Sequence, residues 1–346
     1  MSHASAGHRQ IVALAQGYQT AALLIAYAEL GIADQLAGGP RSAAEVAQAV
    51  GADPAAVARL LAAAEALGLA ARSGDRWQNT PLSEETLVSD SPRSLVNFLR
   101  HQGAFYRRWS RLAEAVRTGR RPEENRQDEA AGDWVRSFTL MLYDIARVQA
   151  PLVATALTPL LAELPRPPTI IDVGGGHGEY AMELARQVPG LEAVVFDLPP
   201  VIAVTRELIA RAGLQDRVRA VTGDFHQDSL GSGYDLALLF GVLVSEDEPS
   251  ALRLLGKVRE ALAPGGWIAI TAHAPDNPEA RLRQALRDLH MLLSTERGRV
   301  PGVATIESWL ATAGFAESQR LPIEGDLANQ VLVARRPTAS EPTPPS

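Results

Sequence analysis

A glycine-rich turn between an apolar strand and an amphipathic helix constrains this chain more than any other feature. Residues 169–173 form a short run that is rich in β-branched side chains, and a helical pattern begins at Tyr180. Glycines at such a turn let the backbone bend tightly and approach a ligand that a Cβ atom would block. The free N–H groups at the start of the following helix suit an anion or a carboxylate. The turn contains Gly174, Gly175, Gly176 and Gly178.

An acid at the end of the next strand supports a cofactor site. Residues 193–196 are apolar and end at Asp197, about twenty residues after the glycines, where βαβ sites place their ribose-binding acid. Asp172 stands two residues before Gly174, and the glycine spacing departs from the dinucleotide pattern G-x-G-x-x-G. A carboxylate there would oppose a pyrophosphate but suits a sulfonium or an amino group. The pattern therefore favours S-adenosylmethionine over NAD.

Four segments follow one another in a distinctive order: 172–178 (Asp-Val-Gly-Gly-Gly-His-Gly), 196–199 (Phe-Asp-Leu-Pro), 223–225 (Gly-Asp-Phe) and 262–266 (Leu-Ala-Pro-Gly-Gly). In this order the chain resembles the S-adenosylmethionine-dependent class I small-molecule O-methyltransferases. These are the plant caffeate type and its bacterial relatives in antibiotic and polyketide tailoring. The resemblance runs from about residue 12 to 334. It implies methyl transfer in secondary metabolism, with S-adenosylmethionine as cofactor and S-adenosylhomocysteine as product.

The resemblance also implies the cofactor contacts. The glycines lie at the methionine moiety, the acid after the second strand binds the ribose hydroxyls, and the acid–phenylalanine pair after the third strand lies at the adenine. The expected cofactor residues are Asp172, Gly174, Gly176, Asp197, Leu198, Asp224, Phe225 and Phe240.

The chain departs from the family at the catalytic base. Val244 stands where these enzymes carry the histidine that takes the acceptor's proton, and Ala272 stands near the place of the acid that orients it. Three hypotheses follow: transfer by proximity and orientation without a base, a base that has moved, or non-methylating chemistry such as hydroxylation, decarboxylation or a pericyclic reaction. An amine or thiol acceptor is a further alternative. The candidates for a moved base are His290, His273 and Glu246, followed by His226 and Asp247.

Regular alternation of strands and helices from residue 167 onward predicts an α/β fold. The strands are expected near 169–173, 193–196, 218–222, 236–240 and 267–272, with a closing hairpin at 315–321 and 330–334. This pattern predicts a Rossmann-like methyltransferase domain with a doubly wound, mostly parallel sheet and an antiparallel edge hairpin.

The first ninety or so residues have a winged-helix layout of helix, turn, helix and hairpin. Ser42 begins a capping box with Glu45, and Asp53 is placed to cap a second helix over 54–67. A DNA reader needs several basic or amide side chains on that helix, which instead carries one arginine and one glutamate. The resemblance implies a dimerisation module, hence a homodimer, and a ligand-sensing DNA-binding protein is the weaker alternative.

Residues 92–160 are expected to form a helical connector over the active site, with one helix continuing from residue 105 through 116. Aromatic and methionine stripes at helical spacing are more often core, but this segment walls the acceptor pocket in the resembled family. The predicted domains are 1–91 (dimerisation), 92–160 (connector), 161–336 (cofactor binding and catalysis) and 337–346 (disordered tail). The candidate substrate contacts are Phe105, Trp109, Phe138, Met141, Tyr143 and Met291.

Composition narrows the function further. The 346 residues include no cysteine, which excludes disulfides and thiolate nucleophiles, and the formal charge of −7 argues against binding nucleic acid or anionic lipid. We expect no membrane-spanning stretch, no signal peptide and no metal site, since the histidines lack ligand spacing. The expectation is a cytoplasmic enzyme whose partners are a small-molecule acceptor and a second copy of itself.

Overall fold

The computed structural model describes residues 6–338, except 131–132, 163, 165, 274–277, 297, 322 and 324–328. The chain forms two compact units, Met1–Arg107 and Arg108–Ser346, which are described separately below. From residue 339 onward, the predicted tail lies outside the described residues.

The N-terminal unit combines helices with one small sheet. Its strands β1 (Arg41–Ser42), β2 (Ala70–Ser73) and β3 (Arg76–Asn79) are antiparallel in the order β1-β3-β2. The hairpin of β2 and β3 is as expected, but the two-residue strand β1 is too short to show a sequence period and was not predicted. The helices are α1 (Ala6–Glu29), α2 (Ile32–Leu36), α3 (Ala43–Val50), α4 (Pro54–Ala66), α5 (Pro81–Thr86) and α6 (Val96–Trp109), which runs across the boundary of the units.

Both predicted caps of this unit are confirmed. Ser42 accepts from the backbone N–H of Glu45 while the Glu45 carboxylate accepts from the Ser42 N–H, which completes the capping box. Asp53 accepts from the Ala56 N–H at 2.8 Å at the start of α4. The exposed face of α4 is mostly alanine, with Arg59 and Glu65 as its charged residues.

The C-terminal unit is built on a seven-stranded sheet in the order β6-β5-β4-β7-β8-β10-β9. The pairs among β4 to β8 are parallel, and β10 is antiparallel to both β8 and β9, which confirms the predicted fold class. The chain order reverses at β4, so its carboxyl end is the place where such sheets bind ligands. The strands are β4 (Thr169–Val173), β5 (Glu192–Asp197), β6 (Val218–Thr222), β7 (Tyr234–Leu239), β8 (Leu262–His273), β9 (Ala316–Leu321) and β10 (Asn329–Arg335).

Helices cover both faces of this sheet because successive strand residues point to opposite sides. Ile170 joins the hydrophobic cluster under α9, α10 and α11, while Ile171 joins the cluster under α12 and α14. The helices of this unit are α7 (Leu112–Thr118), α8 (Glu123–Ala130), α9 (Trp134–Leu157), α10 (Glu179–Gln187), α11 (Pro199–Ala212), α12 (Glu248–Ala261), α13 (Pro278–Ser294) and α14 (Val303–Thr312).

The connector differs from its prediction in two places. The helix expected to continue from residue 105 through 116 is wrong, because α6 ends at Trp109 and Arg111, at φ −97° and ψ 11°, leaves helical geometry before α7. The short helix α8 has almost no apolar residues, so it has no hydrophobic period that could have predicted it. The ion pair of Glu129 with Arg121, at 2.5 Å, helps to hold it in place.

Two helices bear on the expectation that no uninterrupted apolar stretch reaches membrane-spanning length. By length and hydropathy alone, α1 and residues 134–161, which include α9, are each long and apolar enough to cross a bilayer. In the fold, α9 packs against α10 and α11 and buries the charged Asp144 beside Arg147 at 3.1 Å, as a core helix does. α1 is largely exposed.

Candidate active site

Three glycines shape the turn after β4. Gly174, Gly176 and Gly178 have φ values of 65°, 54° and 71°, which a side chain would strain. A Cβ on Gly174 would lie 2.7 Å from the Val242 side chain, and one on Gly178 would lie 3.1 Å from Val195. A Cβ on Gly176 would meet nothing within 4 Å, so the turn opens to free space at that residue. The outer glycines serve packing, and the middle one leaves room for a ligand.

Asp197 ties the end of β5 to this turn. Its Oδ2 accepts from the N–H of Gly176 at 2.9 Å, and its Oδ1 accepts from the N–H of Leu198 at 2.7 Å. Burial raises the pKa of Asp197, while the two backbone donors oppose that rise. Each carboxylate oxygen keeps a lone pair for a further donor, so the group can hold a ribose hydroxyl while it supports the turn.

Asp172 lies beneath the turn as a buried, incompletely bonded acid. Its side chain is 1% exposed, and its Oδ2 has no hydrogen-bond partner among the described residues. A Cβ on Gly175 would lie 2.6 Å from the Asp172 carboxyl carbon, which places the carboxyl directly against the backbone of the turn. Burial, with the nearby Asp197 charge, raises the pKa of Asp172 to about 7. An acid in this state favours a cationic ligand, because a positive charge would stabilise its ionised form.

The predicted adenine residues face the same turn. The Phe225 ring would lie 3.6 Å from a Cβ on Gly174, and Lys257 donates through Nζ to the Phe225 carbonyl. Asp224 accepts from the His226 N–H at 2.8 Å, and this bond lowers the pKa of its carboxyl. The structure therefore brings the glycines, Asp172, Asp197 and the loop after β6 together at the carboxyl end of the sheet.

Comparison with known proteins identifies the family of this chain. Residues 109–316 match the O-methyltransferase domain and residues 12–89 match the O-methyltransferase dimerisation domain. The chain belongs to the O-methyltransferase family. It is an S-adenosylmethionine-dependent enzyme, as the family resemblance predicted.

Named relatives support this assignment along nearly the whole chain. The 3-hydroxy-5-methyl-1-naphthoate 3-O-methyltransferase of Streptomyces sahachiroi is 32% identical over 325 residues, covering 92% of each chain. The 3-amino-4-hydroxybenzoate 4-O-methyltransferase of Streptomyces cremeus is 31% identical over 340 residues, covering 95% of this chain and 91% of that one. The crystal structure of human N-acetylserotonin methyltransferase with S-adenosylmethionine superposes with a TM-score of 0.85 at 29% identity, covering 98% and 100% of the two chains.

An aromatic wall adjoins the glycine turn, and its members Tyr180 and His177 were not among the predicted site residues. The Tyr180 ring, in the first turn of α10, meets Phe240 edge to face at a centroid distance of 4.8 Å. The Tyr180 hydroxyl donates to Gln149 on α9 at 3.2 Å. The centroid of the His177 ring lies 5.9 Å from that of Tyr180 and 6.1 Å from that of the predicted substrate residue Tyr143. The sequence signal that could have identified Tyr180 was its position just after the glycines.

His177 is neutral in this setting. Its side chain is buried, burial lowers its pKa to about 4, and its Nδ1 accepts from the Glu179 N–H at 3.0 Å. It therefore holds the start of α10 as a hydrogen-bond acceptor.

Val244, the predicted position of the family's histidine, is an apolar residue in a well-packed place. Val244 lies in a one-turn 3₁₀ helix, Leu243–Ser245, and is half-buried. Gly298, in the segment after α13, packs so closely that an added Cβ would collide with the Val244 carbonyl oxygen and the Thr295 hydroxyl. The end of α13 therefore lies beside the base position.

His290, the first candidate for a moved base, has both ring nitrogens engaged. Its Nδ1 accepts from the Trp109 indole N–H at 3.2 Å, and its Nε2 lies 3.2 Å from the Ser294 hydroxyl. The same hydroxyl accepts from Arg108 at 2.8 Å. While these bonds persist, the imidazole has no free lone pair for an acceptor's proton.

The other candidate bases lie in different settings. Glu246, with a side chain 9% exposed, lies 3.4 Å from Nε2 of His226 and so joins the loops after β6 and β7. Asp247 caps α12 through the Ser250 N–H at 3.1 Å. His273 ends β8 opposite Asn329, and its side chain lies outside the described part of the structure.

The candidate substrate residues differ in exposure and in their contacts. Trp109, Tyr143 and Met291 are half-buried in the C-terminal unit, whereas Met141 is 4% exposed in the core. Phe138 is exposed, and its ring stacks on that of Trp134 with 6.4 Å between the ring centroids. Phe105 belongs to the N-terminal unit, where it meets His101 edge to face at 4.7 Å. Among the described residues, no group of three or more His, Asp or Glu side chains is placed to hold a metal ion.

Proposed function

We propose that this enzyme O-methylates a small hydroxyaryl acceptor of secondary metabolism without a histidine base. The observation that carries the proposal is a complete methyl-donor turn next to an apolar Val244 that cannot accept a proton. The naphthoate and hydroxybenzoate enzymes named above support an aromatic acceptor with an ionisable hydroxyl group.

The residues of this chain supply binding and orientation. Asp172 and Asp197 place two carboxyl groups around the cationic donor, and the ring pair of Tyr180 and Phe240 excludes water from one side of the turn. S-adenosylmethionine, when bound, supplies a methyl group on a sulfonium that is already an excellent leaving group. Removing a general base costs about 10²–10⁴-fold in rate, whereas orientation can contribute about 7–11 kcal/mol. Orientation can therefore outweigh the loss of the base.

The test is the pH dependence of turnover with two acceptors whose hydroxyl groups have different pKa values in water. We expect S-adenosylhomocysteine to form with each acceptor, and the apparent pKa of kcat/KM to follow that of the acceptor hydroxyl. One fixed apparent pKa for both acceptors would show that a protein base takes the proton, and would overturn the base-free mechanism. Product without loss of the cofactor's methyl group would overturn methyl transfer itself.

We also propose that the enzyme is a homodimer. α1 exposes large apolar side chains, with Ile11 at 66%, Leu14 at 70% and Tyr18 at 54% exposure. Such a continuous apolar face on a soluble enzyme suits a partner surface, and the matched dimerisation domain, residues 12–89, includes Leu14 and Tyr18. A cytoplasmic location is proposed on the ground that the named relatives are biosynthetic enzymes.

A further inference from the structure

Helix α13 and the segment that follows it adjoin two parts of the candidate site, Val244 and Tyr180. Beyond its C-terminus, Gly298 packs against the carbonyl of Val244, at the position of the missing base. About two turns before the end of the same helix, the guanidinium of Arg287 interacts electrostatically with Tyr180 beside the donor turn. Arg287 therefore belongs to the helix whose following segment packs on Val244, and its own charge acts on Tyr180.

Arg287 has no counter-ion in the described part of the chain. Its side chain is half-buried, and no described residue accepts a hydrogen bond from it or pairs with it. Other cations of this unit are paired: Arg283 on the same helix with Glu279 at 2.5 Å, and the buried Arg108 with Glu129 at 2.8 Å. Of the two half-buried arginines of α13, Arg283 has a carboxylate partner and Arg287 has none among the described residues.

The neighbour of Arg287 cannot neutralise it. Burial raises the pKa of the Tyr180 phenol well above its ordinary value, so the phenol stays uncharged. Burial also lowers the pKa of Arg287, but a guanidinium remains protonated in proteins. Holding such a charge out of water without a partner is unfavourable, and an anionic ligand would remove that penalty.

We propose that Arg287 binds a carboxylate of the acceptor, so that the substrates are hydroxyaryl carboxylates. This inference rests on the proposed function, since it identifies the acceptor class of the same site. The planar guanidinium fork matches the two carboxylate oxygens and fixes the orientation of the ring that carries them. A ring anchored in this way would present its hydroxyl group to the donor without help from a base.

The experiment compares two probes that differ only in charge, 3-hydroxy-1-naphthoate and its neutral isostere 3-hydroxy-1-naphthamide. Binding is measured by calorimetry on protein saturated with S-adenosylhomocysteine. We expect the wild type to bind the carboxylate at least about tenfold more tightly than the amide, as one charge-assisted pair implies. Arg287→Met should reduce this preference to within about twofold, and Arg287→Lys should keep part of it because the charge remains.

The matched control is Arg281→Met, which removes an exposed arginine from the same helix and should leave the preference unchanged. Equal binding of the two probes by the wild type, or an undiminished preference in Arg287→Met, would overturn the inference. S-adenosylhomocysteine binding and the unfolding midpoint of each variant are measured in parallel. If the wild type bound no S-adenosylhomocysteine, the proposed function would fail. If it bound S-adenosylhomocysteine but did not prefer the carboxylate probe over the amide, only the role of Arg287 would be overturned.

Discussion

The indole N–H of Trp109 donates a hydrogen bond to Nδ1 of His290 across 3.2 Å. Because an N–H can bond only to a free lone pair, this contact assigns the imidazole proton to Nε2 and makes the ring neutral. Nε2 faces the Ser294 hydroxyl, which also accepts from Arg108, a side chain that is 2% exposed. His290 therefore links Trp109 to Ser294 on its own helix, α13.

This arrangement predicts the effect of His290→Ala. We expect the pH dependence of turnover to be unchanged between about pH 6 and 9, because no proton passes through the ring. The free energy of unfolding should fall by about 1–3 kcal/mol, since buried donors lose their partners. Trp109→Phe, which removes the same donor, should lower stability to a similar degree. If folded His290→Ala lost one of the ionisations seen in the wild type's pH dependence of turnover, this assignment would be contradicted.

The glycine turn predicts different outcomes for two similar substitutions. Gly174→Ala places a Cβ 2.7 Å from Val242 at a positive φ, so we expect a loss of at least about 2 kcal/mol in stability. Gly176→Ala meets nothing within 4 Å and should lose only about 1 kcal/mol of stability, but its methyl projects where the donor binds. Urea denaturation and calorimetry with S-adenosylmethionine separate the two effects. Equal cofactor affinity in Gly176→Ala and the wild type would show that the open space is not the binding site.

Asp197 is expected to serve both the turn and the cofactor. Asp197→Ala should weaken S-adenosylmethionine binding by about tenfold or more, because a charge-assisted bond contributes about 1.5–3 kcal/mol. Asp197→Asn keeps an acceptor for the Gly176 N–H and should lose less. The measurement is calorimetric affinity for S-adenosylmethionine, and an unchanged value in the alanine variant would remove Asp197 from the site.

The raised pKa of Asp172 predicts a pH-dependent stability. Its folded pKa of about 7 exceeds the ordinary 3.8, so between these values the folded state holds a proton that the unfolded state has released. The contribution of Asp172 to stability is therefore present at low pH and lost as the pH rises through 7. Asp172→Asn should be more stable than the wild type at pH 8 by about 1–4 kcal/mol, and the gap should close towards pH 4.

The same acid couples the cofactor to pH. Ionised Asp172 favours a cation, so wild-type affinity for S-adenosylmethionine should rise as the pH passes through about 7. In Asp172→Asn this rise should be absent. Calorimetry at pH 6 and 8 is the check, and equal pH dependence in both proteins would exclude Asp172 as its source.

The exposed face of α1 predicts the oligomeric state. We expect light scattering to give the mass of a dimer for the wild type and of a monomer for Leu14→Glu, because a charge in an apolar interface is unfavourable. Leu67→Glu, at a leucine that is 43% exposed elsewhere in the same unit, is the control and should remain dimeric. A monomeric wild type at micromolar concentration would refute the dimer.

Most of the sheet could be predicted because its strands are short, apolar and separated by amphipathic helices. β4 and β6 begin and end where the pattern placed them, whereas β8 begins at Leu262, before the expected residue 267. The pairing of Tyr234 with Leu262, followed by a register shift, extends β8 across a Pro-Gly-Gly segment that reads as a turn. Pairing with β7 therefore holds these residues in the strand although the Pro-Gly-Gly sequence favours a turn.

The sequence by itself determined the family, the Rossmann-like topology, the donor turn and the absence of a histidine at residue 244, because each depends on residue type and spacing along a few consecutive elements. Only the tertiary structure decided that His290 links Trp109 to Ser294 and that the carboxyl of Asp172 is buried. It also decided that, among the described residues, Asp172 Oδ2 has no hydrogen-bond partner and Arg287 has no counter-ion. These properties arise from groups that are far apart in the chain. Burial and hydrogen bonding between such groups depend on distances that only the packed fold establishes.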